Sequence, residues 1–157
     1  MNKHEHYMRM AIQQAHLAMD EGEVPAGCVI VNPDASAGTG TVIAQAHNQV
    51  ELLKDPTAHA EMIAITQAAA AMRSWRLART ILYVTKEPCP MCAGAIVLAR
   101  IHTVVFGTSD PRHGGAVSAF NILNHPQLNH QCKMVTGILA DECKSLLVDF
   151  FRARRSF

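Results

Sequence analysis

Short strand patterns alternate with helical patterns along the whole chain, and this alternation limits the possible folds more than any other feature of the sequence. Apolar, partly β-branched runs predict strands at 26–31, 41–46, 80–85, 101–107 and 133–136. Helical spacing predicts helices at 4–21, 58–72, 90–99 and 139–155, with another near 119–123. We expect a three-layer α/β/α fold with a mixed sheet of about five strands. The last two strands should be parallel, because about 25 residues and a helix separate them.

One domain is expected to span residues 1–157, since no repeat, low-complexity tract or Pro/Ser-rich linker divides the chain. Apolar residues make up 49% and charged residues 17%, which excludes intrinsic disorder. The longest uncharged stretch, 35–50, is broken by polar residues and cannot be a membrane span. The N-terminus lacks the apolar region and cleavage site of a secretory signal, so we expect a cytoplasmic protein without membrane contact.

The net charge of +1 hides an uneven distribution. Residues 1–72 carry three Lys or Arg against eight Asp or Glu, a net −5, whereas residues 73–157 carry eleven against five, a net +6. The asymmetry indicates an anionic polymer as partner only if the two halves of the sequence form separate surfaces, which in a single domain they need not do.

Two short segments carry reactive side chains. The first is His59-Ala60-Glu61, at the start of a helix for which Asp55-Pro56-Thr57 supplies capping residues and a helix-starting proline. The second is Pro88-Cys89-Pro90-Met91-Cys92, where a strand leads into a helix. One His, two Cys and a separate carboxylate are the inventory of a catalytic zinc site, in which three protein ligands leave a fourth position for water.

Spacing limits how these side chains can meet. Cys89 and Cys92 are three residues apart and share one face of a helix. His59 and Glu61 are two apart, so they converge on one centre only if it lies near the open end of the first helical turn. There, Glu61 would take a proton from a metal-activated water and later return it to the substrate.

Five cysteines in a chain without an export signal favour reduced thiols or metal ligands over a disulfide framework. Cys28, Cys132 and Cys143 are interpreted as small buried hydrophobes. A thioredoxin-like redox pair is an alternative for C-x-x-C, but it leaves His-x-Glu unused and prefers a position after the first strand. The order H-x-E followed by P-C-x-x-C is that of the nucleobase deaminases.

Further segments resemble the bacterial tRNA adenosine deaminase family. The likeness begins at residues 4–9 and covers nearly the whole chain, through DPTAHAE (55–61), EPCPMCAGA (87–95), VFG (105–107), NILNHP (121–126), GILADEC (137–143) and DFFR (149–152). The loop 33–40 departs from the family in being longer and richer in small residues.

This resemblance implies a cytidine-deaminase-like fold and hydrolytic deamination of adenosine to inosine at the wobble position of tRNA anticodons. It implies one zinc ion per subunit, held by His59, Cys89 and Cys92, with Glu61 as the catalytic proton carrier. The implied partners are the tRNA anticodon loop and a second copy of the chain in a homodimer.

The resemblance also implies substrate-binding residues. Asn48 matches a residue that hydrogen-bonds the purine, although a turn residue is an equal alternative. An apolar wall of the base pocket is matched by Val24, Pro25 and Ala26. Contacts to the RNA loop are suggested by the residues themselves. The last helix ends in rings and cations that could hold bases and phosphates, namely Phe150, Phe151, Arg152, Arg154 and Arg155, and the turn after Gly107 offers Asp110, Arg112 and His113. For the end of the last helix the alternative is a core aromatic pair with a basic end that compensates the helix dipole.

Two other functions stay open at this point. A free-base or nucleoside deaminase acting on guanine or cytosine would share the metal site and would need no RNA. A non-catalytic, zinc-containing RNA-binding module would use the same ligands without turnover.

Overall fold

The computed structural model describes residues 2–33 and 40–155, so most of the loop 33–40 lies outside the described residues. The strands are β1 (Gly27–Asn32), β2 (Thr41–His47), β3 (Ile81–Lys86), β4 (Thr103–Thr108) and β5 (Lys133–Thr136). The helices are α1 (Lys3–Asp20), α2 (Val50–Leu53), α3 (Ala60–Met72), α4 (Pro90–Leu98) and α5 (Ala140–Arg155). Within the described ranges, no helix combines the length and the apolar character that a membrane span needs.

The strands form one mixed sheet in the order β2-β1-β3-β4-β5. β1 is antiparallel to both β2 and β3, whereas β3, β4 and β5 are parallel to one another. The prediction of a mixed sheet with its last two strands parallel is therefore confirmed.

Helices cover both faces of this sheet. On β1, Cys28 and Ile30 enter the core shared with α3 and α4, whereas Val29 and Val31 enter the core shared with α1 and α5. All four side chains are at most 1% exposed. Burial on both faces explains why the strands are continuous apolar runs rather than alternating ones. The expected three layers are confirmed.

The helix predicted near residues 119–123 is wrong. Residues 109–132 form a succession of turns with no helix. The buried carboxylate of Glu87 accepts hydrogen bonds from the backbone N–H groups of Val117 and Ser118, at 2.9 Å each. Because a side chain from elsewhere in the chain takes these N–H groups, the segment is organised around Glu87 instead of around its own helical ladder.

The predicted cap of α3 is also wrong. Asp55 holds Thr57, accepting hydrogen bonds from its backbone N–H at 2.8 Å and its hydroxyl at 2.7 Å. This local turn competes with the helix. As a result α3 begins at Ala60, with His59 as its N-cap residue and no side-chain cap.

Candidate active site and metal centre

Two helices begin beside the C-terminal end of β3, and their N-cap residues carry the reactive side chains. His59 precedes α3 with φ −75° and ψ 153°, and Cys89 precedes α4 with φ −71° and ψ 172°. Both are extended rather than helical. The side chain of His59 is thus free of the helical spacing that would separate it from Glu61 in the first turn of α3. This is the geometry that the two-residue spacing requires.

The structure brings His59, Cys89 and Cys92 together. Nδ1 of His59 lies 3.6 Å from Sγ of Cys89 and 3.5 Å from Sγ of Cys92. The three potential ligand atoms are all within 4.8 Å of one another. Tetrahedral zinc with Zn–S near 2.3 Å and Zn–N near 2.05 Å places nitrogen and sulfur about 3.6 Å apart. The donor set and its spacing therefore fit a zinc ion without rearrangement.

The same geometry polarises the thiols, which are not joined in a disulfide. A hydrogen bond from the Cys92 thiol, assisted by His59, lowers the pKa of Cys89 to about 4 in spite of burial. Cys92 donates that bond and is buried, so its own pKa is raised. The hydrogen bond to Cys89 also raises the pKa of His59. A cation needs deprotonated ligands, and of these groups Cys89 is the one whose lowered pKa already favours the deprotonated form.

Glu61 lies in the same cleft but outside the three-residue cluster. Its side chain is 5% exposed. Burial raises the pKa of this carboxyl by more than its hydrogen bonds and the neighbouring His59 lower it. A carboxylate that is near a metal centre but not part of it is available for proton transfer.

Of these residues, His59, Glu61 and Cys89 line a cleft of about 430 Å³, and Cys92 is buried behind them. Six of the predicted substrate-binding residues line the cleft, namely Val24, Ala26, Asn48, Phe150, Phe151 and Arg154. Pro25 is buried beside the wall, and Asp110 and Arg152 lie outside the lining. The cleft is large enough for a purine base, because small-molecule pockets of this kind start near 300 Å³.

Asn48 is both a turn residue and a cleft residue. Its side-chain amide donates to the carbonyl of Val24 at 3.4 Å, and its side-chain oxygen accepts from the N–H of Val50 at 3.2 Å. The side-chain nitrogen of Asn48 has a second hydrogen to donate, and its side-chain oxygen can accept a second hydrogen bond. The two interpretations of Asn48 are therefore compatible.

Two buried carboxylates that the sequence analysis missed shape the cleft. Glu23, 1% exposed, accepts hydrogen bonds from the N–H groups of Glu51 at 2.9 Å and Leu52 at 2.8 Å, and so fixes the first turn of α2. Glu87, 2% exposed, holds the loop that contains Asp110, Val117 and Ser118. The only sign of these two carboxylates in the sequence is their position. Glu23 directly precedes Val24 of the expected base pocket, and Glu87 directly precedes Pro88 of the P-C-x-x-C segment.

Two cations line the cleft: Lys86, which the sequence analysis missed, and Arg154, which was expected among the cations at the end of the last helix. Nζ of Lys86 lies 3.1 Å from Oδ2 of Asp110. Lys86 lines the cleft and Asp110 does not, so Asp110 contacts the cleft only through its ion pair with Lys86. The guanidinium of Arg154 covers the ring of Phe150 at 4.5 Å and donates a hydrogen bond to the carbonyl of Gly22. The end of α5 is thereby fastened over the cleft.

The sheet order, the three-residue cluster and the separate carboxylate define a domain with the cytidine deaminase-like fold. A sequence model of the MafB19-like deaminases matches residues 2–155, and the chain belongs to this family.

The chain is similar to proteins named tRNA-specific adenosine deaminase. It is 46% identical to the one from Bacillus subtilis (strain 168) over 155 residues, covering 99% of this chain and 92% of the relative. It is also 46% identical to the one from Aquifex aeolicus (strain VF5) over 152 residues, covering 97% and 96%.

Solved structures agree with the fold. One, from a study of A-to-I editing by tRNA:A34 deaminases at the wobble position, superposes with a TM-score of 0.84 at 38% identity, covering 90% of this chain and 99% of that chain. The guanine deaminase of Bacillus subtilis is 30% identical with a TM-score of 0.62, covering 100% and 96%.

Proposed function

We propose that this protein deaminates adenosine to inosine at the wobble position of tRNA anticodons. The observation that carries the proposal is a cleft lined by His59 and Cys89 of the His/Cys/Cys cluster and by the separate buried carboxylate of Glu61. Relatives named for this activity cover nearly the whole chain at 46% identity, against 30% for the guanine deaminase. The closer relatives favour adenosine in RNA over a free base.

One zinc ion per subunit would be held by Nδ1 of His59 and the sulfurs of Cys89 and Cys92. When bound through three protein ligands, zinc leaves a fourth position for water and lowers the pKa of that water towards about 7. The remaining acid–base work falls to Glu61.

Glu61 carries the proton. The oxygen of water ends on C6 of the adenine, and the 6-amino group leaves as ammonia. Glu61 accepts one proton from the attacking water and passes it to N1 of the ring, and then carries the second water proton from the new hydroxyl on C6 to the departing amino nitrogen. The carboxylate returns to its starting state, and adenosine plus water gives inosine plus ammonia. General acid–base transfer of this kind contributes about 10²–10⁴-fold to the rate.

The base would rest against the part of the cleft wall where Val24, Ala26 and Asn48 lie together. The spare hydrogen-bonding positions of the Asn48 amide would fix the orientation of the purine. An adenine has to leave its stack to enter this cleft, and that costs least in a single-stranded loop. An anticodon loop meets this requirement.

The backbone of the loop would meet the cations at the cleft. Lys86, oriented by Asp110, would contact a phosphate next to the flipped nucleotide. Phe151 offers an exposed ring for stacking, and Arg152 extends the basic end of α5. Asp110 is therefore assigned as a residue that positions Lys86.

A homodimer is proposed from the outer face of α4. Met91, Gly94, Ala95 and Leu98 recur at helical spacing and form a partly exposed stripe, with Leu98 at 70% exposure. A Cβ at Gly94 would meet nothing within 4 Å, so the helix at this position faces open space. We assign this α4 stripe to a second copy of the chain in an isologous contact. Cytoplasmic location follows from the tRNA substrate.

The proposal is tested with four substrates and one variant. The wild-type enzyme should form inosine in an anticodon stem-loop with adenosine at the wobble position and leave free adenosine, guanine and cytidine unchanged. Glu61→Gln should lose at least about 100-fold in turnover while keeping its zinc. Turnover of a free base alone would assign the chain to the nucleoside or free-base deaminases, and unchanged turnover in E61Q would remove Glu61 from the mechanism.

A further inference from the structure

We propose that the turn between α3 and β3 is a second RNA-binding surface, which holds substrate backbone outside the loop that enters the cleft. The Trp75 surface is defined by Trp75, Arg73, Arg76 and Arg79. The inference rests on the proposed function at one point, that the substrate is an RNA larger than its anticodon loop.

Trp75 is presented outward by an ordered turn. Its side chain is 61% exposed. Two residues later Leu77 is fully buried, and its N–H donates to the carbonyl of Ala99 at 2.7 Å. The hydroxyl of Ser74 closes the turn by accepting from the N–H of Arg76 at 3.1 Å. The exposed indole is thus a fixed feature of the fold.

The ring is accompanied by cations. The guanidinium carbon of Arg76 lies 5.0 Å from the centroid of the Trp75 ring. An exposed ring beside a guanidinium plane is the combination on which unpaired bases stack while the cation meets the phosphates. Within the part of the chain that the structure describes, none of Arg73, Arg76 and Arg79 forms an ion pair. Their charges are available to an anionic partner.

Acidic residues are missing from the sequence around this surface. Residues 62–86 contain four cations and no Asp or Glu. The helix dipole accounts for Arg73, the C-cap residue of α3, but Arg76 and Arg79 lie beyond the helix. Arg79 has φ +71°, a left-handed conformation that costs a side-chain-bearing residue more than glycine. The helix dipole therefore does not account for the charges of Arg76 and Arg79.

The Trp75 surface lies at the opposite end of the domain from the cleft. The six residues of β3 span about 20 Å at 3.3 Å each, and the thirteen residues of α3 span about 20 Å at 1.5 Å each. Both β3 and α3 have one end at the cleft and the other end at the Trp75 surface. The exposed residue Lys133, where β5 begins, adds a further positive charge at this end of the sheet. An RNA that reaches both places has to extend about 20 Å beyond the nucleotide in the cleft.

RNA fits this surface better than a second copy of the chain. In an isologous contact centred on Trp75, three arginines of one copy would face the same three of the other, and like charges would repel. The α4 stripe, which contains no charged residue, is the better place for that contact.

The test compares a full-length tRNA that has adenosine at the wobble position with its isolated anticodon stem-loop. Trp75→Ala should weaken binding of the full-length tRNA about tenfold, and binding and turnover of the stem-loop should stay within twofold. Trp75→Phe should retain most of the affinity. R76Q/R79Q should reduce the slope of log K against log salt for the full-length tRNA by about two. Lys144→Gln, an exposed cation on α5, is the matched control and should change nothing.

Each other result overturns the inference. Unchanged affinity of W75A and R76Q/R79Q for full-length tRNA would show that the surface does not meet RNA. Equal weakening for both RNAs would place the effect at the cleft, and a change in oligomeric state alone would make the surface a protein interface. Wild-type inosine formation on the stem-loop, measured in parallel, tests the proposed function separately from the binding result.

Discussion

Replacement of Glu87 by Gln removes one charge and keeps the shape of the side chain. In the native protein Oε1 accepts from the N–H of Asp110 at 3.0 Å and from the hydroxyl of Ser118, and Oε2 accepts from the N–H groups of Val117 and Ser118 at 2.9 Å each. The Gln amide oxygen can retain the pair at Oε2, and the Ser118 hydroxyl can turn to accept. The N–H of Asp110 is then left facing an NH₂ group.

The cost follows from that one mismatch. Losing a hydrogen bond to a charged acceptor and leaving a buried N–H unpaired amounts to about 2–4 kcal/mol. A domain of this size has a total unfolding free energy of about 5–15 kcal/mol. At about 2–4 °C for each kcal/mol, the midpoint of thermal unfolding should fall by about 5–15 °C.

Urea and thermal unfolding of E87Q against wild type measure the effect. Glu142→Gln is the control, because that carboxylate is half exposed and pairs only at the surface with Arg9 at 3.4 Å. It should change the unfolding free energy by less than about 1 kcal/mol. If E87Q unfolds within about 0.5 kcal/mol of wild type, Glu87 does not organise the segment that follows Asp110.

Three further predictions concern the cleft and the dimer. Lys86→Met should raise KM for the anticodon stem-loop and reduce the slope of log K against log salt by about 0.7, whereas Lys86→Arg should change neither. If Lys86→Met and wild type have the same slope, Lys86 does not contact a phosphate. Burial raises the pKa of Asp110, but the bond from Lys86 and two backbone N–H groups outweigh it and hold the pKa below its usual value. The stability that Asp110 adds is therefore fully present above about pH 4 and is lost as the pH falls through the folded pKa. The difference in unfolding free energy between wild type and Asp110→Asn should accordingly vanish in acid. A difference that stays constant with pH would contradict this. Leu98→Glu should convert a dimer into monomers in sedimentation, and an unchanged dimer would place the interface elsewhere.

The elements that the sequence predicted well depend on local chemistry. Strands buried on both faces leave long apolar runs, which is why β1 and β3 were found within a residue or two. One His and two Cys are side chains that commonly bind the same metal ion, so the sequence predicted that His59, Cys89 and Cys92 lie close together. The structure brings the three together.

The elements that the sequence did not predict depend on contacts between distant residues. Glu87 holds Ser118 across 31 positions, and Arg154 reaches Gly22 across 132. No local pattern reports such bonds. The apolar residues near 119–123 therefore indicated a helix, although their backbone belongs to a turn built on another part of the chain. The same reason hid the support that Glu23 gives to α2.

The most direct measurement of the metal centre is zinc content together with X-ray absorption at the zinc edge of the purified protein. We expect one zinc per chain, with two sulfur ligands near 2.3 Å and two nitrogen or oxygen ligands near 2.0–2.1 Å, and the loss of one sulfur in Cys92→Ser. A zinc coordinated by four sulfurs, or a fully active protein that contains no metal, would contradict this expectation.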